Sequence, residues 1–152
     1  MKFMMDFLNK RALVLAPLFL RLGLGLVFIL FAYQKLSVPS QTTAEVQLLL
    51  NIGIGPASAI NFYLGLVELM IAFALFLGVY SASASFAAAF LTMGIFVSLV
   101  FKYGINQDPT LNRDVGLISG ALALWLIGPG DWSLDVWFKK RREKKEQERI
   151  GV

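Results

Sequence analysis

The chain has 152 residues, of which 57% are hydrophobic and only 16% charged, with a net charge of +4 and a mean hydropathy of +0.68. A soluble domain is about one-quarter charged, so this balance indicates a membrane protein with room for several spans but not for a second sizeable domain. Cysteine and histidine are both absent, which excludes disulfides, thiolate clusters and histidine-ligated haem or zinc within the chain. A lipid-buried chain of this kind also leaves little surface for nucleic acid.

Residues 1–12 carry Lys2, Lys10 and Arg11. They precede the first apolar stretch, 13–36, which reads LVLAPLFLRLGLGLVFILFAYQKL. A helical crossing of a bilayer takes about 20 apolar residues, and this stretch suffices. It is too long for a signal peptide, is interrupted by Arg21, and lacks a small-residue cleavage site soon after it. Pro17, Arg21, Gly25, Phe28, Ala32 and Lys35 recur at spacings of three and four, so they share one helical stripe. A charge at the depth of Arg21 costs roughly 2.5 to more than 10 kcal/mol in lipid, so a partner is required.

Residues 37–56 form a loop punctuated by Ser, Pro, Thr and Gly, in which 44–51 can make a short interfacial helix. A second span follows over about 57–79, with Glu68 near its middle. Asn61, Gly65, Glu68, Ala72 and Leu75 form its stripe. Gly78-Val79-Tyr80-Ser81 makes the tight, uncharged turn of a helical hairpin. The third span, about 82–101, is rich in alanine and serine, which suit close helix packing in lipid.

A second outer loop covers 102–113. The fourth span is predicted over about 110–127. Its purely apolar part is short, so Thr110 to Asp114 must be included. Gly128-Pro129-Gly130 stops it. Trp132, Leu134, Trp137 and Phe138 suit the membrane interface. The tail KKRREKKEQERIGV has i,i+4 pairs at 139–143, 142–146 and 144–148, expected of a solvated helix. The division is therefore a transmembrane domain, 1–135, and a basic tail, 136–152.

Seven Lys/Arg lie in 139–149 and three in 2–11, against three (Lys35, Lys102, Arg113) in the outer segments. Positive-inside bias then places both termini in the cytoplasm and requires an even number of spans. The expected fold is an all-α, four-helix membrane bundle, N-in and C-in, multi-pass in the cell membrane.

Depth along the spans pairs Arg21 with Glu68, and Lys35 with Asp114 near the outer surface. Arg113, about 100° round the helix from Asp114, is left to face headgroups. Such pairs serve as interhelical glue or mark function, and both readings stand for Arg21 and Glu68. For Lys35 and Asp114 a structural cap is the simpler reading. The basic tail is first a topology signal and secondarily a binder of anionic lipid.

Arg21-x3-Gly25-x2-Phe28 followed by Gln34-Lys35-Leu36 resembles the first span of the DoxX family. So do Gly65-Leu66-Val67-Glu68-Leu69 and, further on, Asp114-x2-Leu117-x2-Gly120-Ala121-Leu122-Ala123-Leu124 running into Gly128-Pro129-Gly130 and Ser133-Leu134-Asp135. The resemblance covers about 15–135. It implies a compact four-helix membrane protein with charges in its core, related to subunits of quinol oxidases and of thiosulfate oxidation with quinone as acceptor. Phe31-Ala32 stands where many members have His-Gly, which removes any histidine-dependent step.

Under that resemblance the chain is a subunit or accessory of a quinone-linked oxidoreductase system. Arg21, Glu68 and Asp114 are then the candidate charge and proton site, and Gln34, Lys35, Phe28 and Asn61 the candidate binding residues. Quinone is the implied cofactor. The implied partners are lipids, a separate redox subunit and a second copy of the chain. The rival reading is a non-enzymatic assembly factor, or a lipid or small-solute module, whose ion pairs only fix helix register.

Overall fold

The computed structural model describes residues 2–37, 43–51, 53, 55–104 and 110–150, the side chains of 2–13, 43–45, 102–103, 110 and 150 excepted. Lys102 and Tyr103 of the outer loop and the N-terminal cations thus lie outside the described side chains. Six helices are present among these residues: α1 (Lys2–Ser37), α2 (Thr43–Asn51), α3 (Ala57–Leu77), α4 (Ser81–Tyr103), α5 (Thr110–Ile127) and α6 (Leu134–Ile150). Three contain stretches long and apolar enough to cross a membrane: Val14–Ser37, Ala57–Leu77 and Ser81–Phe101. α5 begins at Thr110, where the predicted fourth span had to begin. α2 matches the expected interfacial helix and packs against α3 and α4.

α1 differs most from expectation, continuing unbroken from Lys2 through Pro17. Its apolar beginning at Leu13 is therefore not a helix boundary. α6 is helical as predicted, but none of its three expected i,i+4 ion pairs closes among the described residues.

Helix α1 packs most extensively on α3, and α4 on α5. The contacts of α1 with α3 run antiparallel. A Cβ on Gly25 would meet the Phe76 ring at 3.0 Å and the Ala72 carbonyl at 3.4 Å, while one on Gly65 would meet Lys35 Cβ at 2.9 Å. Close approach at these two glycines sets the register of the pair. α5 is also antiparallel to α1: Gly120 lies beside Leu24 and Arg113 beside Phe31.

The interior is built from small residues around a few large ones: Ala72, Ala84, Ala88 and Ala121 enclose Phe28 and Leu75. Large apolar side chains point outward instead, Phe19 and Leu30 on α1, Met70 on α3, Phe90 on α4 and Leu126 on α5 among them. That arrangement suits a lipid surround, where close backbone approach rather than apolar burial holds helices together.

The α3–α4 turn closes by backbone chemistry. Gly78 takes φ 67°, Val79 N–H donates to Ala74 O at 3.0 Å and Gly78 N–H to Leu75 O at 3.3 Å. These are the two bonds of a Schellman termination, which needs a left-handed residue at that position.

Candidate functional site

Two polar centres sit at opposite ends of the bundle. The first surrounds Arg21. Its Nη1 donates to the Pro129 carbonyl at 2.8 Å and its Nη2 to the Trp132 carbonyl at 2.7 Å. Gly78 lies against it: a Cβ there would come within 2.6 Å of Nη1 and 2.7 Å of Ser133 Cβ. Gly128-Pro129-Gly130 therefore does more than end α5. It turns two carbonyls of the α5–α6 connection, those of Pro129 and Trp132, towards the two terminal nitrogens of a guanidinium.

The same end is tied from the other side by Asp135. Its two carboxylate oxygens accept the Tyr80 and Ser81 N–H groups, each at 2.8 Å. Its own N–H donates to Gly78 O at 2.9 Å. A carboxylate on the free N–H groups of α4 is a cap supplied from another helix. Ser133 caps α6 in turn, its hydroxyl accepting Val136 N–H at 3.2 Å.

The second centre is buried towards the other end. Lys35 Nζ donates to Glu68 Oε1 at 2.6 Å, with side-chain exposures of 2% and 0%. Asn61, two turns from Glu68 on the α3 stripe, and Asp114 on α5 are also buried. Arg113 folds back on its neighbour, with Nε 3.0 Å and Nη2 2.9 Å from Asp114 Oδ1. The Phe31 ring has cations on it from two helices, Arg113 Cζ 4.7 Å and Lys35 Nζ 5.5 Å from the centroid. Both lie within cation–π range.

The expected pairing of Arg21 with Glu68 is thus corrected. The register fixed at Gly25 and Gly65 sets Arg21 level with Gly78, ten residues beyond Glu68, which is about 15 Å along the helix axis. Glu68 is taken instead by Lys35. Arg113, expected to face headgroups, is half exposed at 48% but closed on Asp114.

Of the candidate binding residues, Lys35 forms the second centre with Glu68, and Asn61 is buried two turns from Glu68 on the same stripe. Gln34 is exposed, because it lies about 100° round the helix from buried Lys35. Phe28 is part of the apolar core with Leu24 and Ile71. Sequence reasoning misses Asp135: Ser133 signals the cap of its own helix α6, but nothing local marks Asp135 as the cap of α4, 54 residues away.

Neither the curated proteins nor the solved structures give a match to this chain. The DoxX family profile matches residues 16–101, which takes in Arg21, Lys35, Asn61 and Glu68 and stops before α5. The match spans more than half the chain and contains the three membrane-length helices and the buried Lys35–Glu68 pair. The chain belongs to the DoxX family of membrane proteins.

Proposed function

We propose that this DoxX protein is the membrane subunit of a quinone-linked oxidoreductase system, with the Lys35–Glu68 centre as its ligand and proton site. The carrying observation is the 2.6 Å pair itself, buried to 2% and 0% inside a bundle with an apolar exterior. A charge in that position is expensive, and intramembrane ionisable groups commonly line ligand or proton paths.

The residues fit a quinone head, which has two carbonyl acceptors and an apolar ring. Reduction of that head to the quinol takes up two electrons and two protons. The Lys35 ammonium donates to Glu68 Oε1, and an ammonium in an apolar bundle can hold a carbonyl oxygen. Glu68, the carboxylate of the pair, can take up a proton from water and pass it on towards the quinone oxygen. Asn61 adds amide donors and acceptors on the same stripe. Electrons come from a separate subunit with its own redox centre.

In this reading α5 is the fourth span, and both termini lie on the cytoplasmic side of the cell membrane, as the excess of Lys/Arg at 2–11 and 139–149 supports. Arg21 has a structural part, because its contacts go to backbone carbonyls of its own chain.

That use of Arg21 also favours a second reading, in which the ion pairs serve only helix register in a non-enzymatic module. Exchange of the pair, Lys35→Glu with Glu68→Lys, separates the two. Restored folding without quinone-dependent activity in the complex supports the ligand site. Restored folding together with full activity supports register alone.

A further inference from the structure

Helix α6 leaves the bundle with one line of cations running on from its aromatic start. Beyond Val136 its described side chains are exposed. At 100° per residue, Trp137, Arg141, Lys145 and Arg149 follow one line along the helix, with Arg142 and Lys144 beside it. Asp135, Glu143 and Glu146 lie outside that line together with Lys139 and Lys140, and Glu148 interrupts it. The Arg141 guanidinium lies 5.2 Å from the Trp137 ring centroid. Among the described residues no ion pair ties these cations to an acid.

The aromatic start of this face is continuous with the outer surface of a membrane-length helix. Leu77, the last residue of α3, shares one shallow surface cavity with Trp132, Leu134 and Trp137. Trp132 and Trp137 are 67% and 50% exposed. Asp135 holds this start of α6 to the α3–α4 turn through the two amide bonds at Tyr80 and Ser81. The basic line therefore begins at the level where α3 ends.

We propose that α6 lies on the leaflet at which α3 ends and binds anionic phospholipid headgroups through Arg141, Arg142, Lys145 and Arg149. Trp132 and Trp137 sit at the headgroup level, where amphipathic rings are favoured. The cations next to them meet the negative surface potential of an acidic leaflet, which draws juxtamembrane basic segments. This inference is independent of the quinone reading and shares with it only the embedding in a bilayer.

The chain has no cysteine, so a single one can carry a spin label. Glu148→Cys places the label on the basic line, and Gln147→Cys places it about 100° away. Each labelled full-length protein is put into nanodiscs of phosphatidylcholine, with and without phosphatidylglycerol. Collisions with a water-soluble nickel reagent are then measured. Phosphatidylglycerol is expected to reduce accessibility at 148 severalfold and to leave 147 unchanged. High salt is expected to reverse the effect by screening. A background of Arg141→Gln, Arg142→Gln, Lys145→Gln and Arg149→Gln is expected to abolish it with unchanged thermal unfolding.

Equal accessibility at the two positions in both lipids overturns the proposal, and leaves the arm to a protein partner. So does protection in phosphatidylcholine alone, which is apolar docking without charge recognition, or protection that survives in the quadruple variant.

Discussion

Lys35 and Glu68 make a sharp test of what a buried pair does at the level of single residues. Removing one partner leaves the other charge buried, which costs about 3–5 kcal/mol. Lys35→Met is therefore expected to lower stability by that order, read from unfolding of the detergent-solubilised protein. Lys35→Met with Glu68→Met is expected to regain most of it, because neither charge is then left alone. At the opposite end, Gly78→Ala forces a non-glycine residue into φ 67° and drives a Cβ into Arg21 and Ser133. The left-handed conformation alone costs about 1–2 kcal/mol. The same unfolding assay should show a loss at least that large, with Arg21→Met losing stability by a similar route.

The pairing of these charges was only partly legible in the sequence. The stripes that carry Arg21, Lys35, Asn61 and Glu68 follow from helical spacing, and all four side chains are buried as those stripes imply. The ends of apolar runs are a poor guide to their depths. The run that starts at Leu13 does not start where the bundle starts, because α1 is helical from Lys2. The register is set by glycines. Matching Gly25 and Ala32 antiparallel to Ala72 and Gly65 gives it only to within about a turn, and the contacts of Gly65 with Lys35 and of Gly78 with Arg21 are needed to place Lys35 rather than Arg21 near Glu68. Pro129 and Trp132 offer Arg21 backbone carbonyls, which no side-chain pattern advertises.

Between helices, Asp135 joins three elements: the end of α3, the start of α4 and the start of α6. Loss of a helix cap costs about 1 kcal/mol and up to about 2 kcal/mol. Asp135→Ala is thus expected to speed hydrogen exchange at the Tyr80 and Ser81 amides. The middle of α3, held by its own helix bonds and by α1, should exchange as before. Uniform acceleration across α3 and α4 would instead make Asp135 a determinant of global stability. Helix boundaries were legible here because turn chemistry marks them. Gly78, Gly104 and Gly128 each take positive φ at the end of a helix, and glycine is the residue that tolerates this.

Taken whole, the molecule is a bundle with small residues inside, large apolar ones outside and a polar centre at each end. The centre at Arg21 is tied to backbone carbonyls of its own chain at Pro129 and Trp132. The centre at Lys35 and Glu68 consists of two buried ionisable side chains and is the ligand site proposed above. Single-cysteine labelling at the two ends of the chain should report both termini on the same side of the membrane, as four spans require. Opposite sides would mean that α5 does not cross.

The most direct test of the ligand site is quinone retention. The full chain, purified with its native lipids, should carry quinone in near-stoichiometric amount when the lipid extract is assayed. Lys35→Met should lower that amount by about tenfold or more, the loss expected from one charge-assisted hydrogen bond of about 1.5–3 kcal/mol. Lys35→Met with Glu68→Met, stable but without the charges, should not regain it. Wild-type protein free of quinone, or a folded double variant that retains it in full, would contradict a quinone site at Lys35 and Glu68.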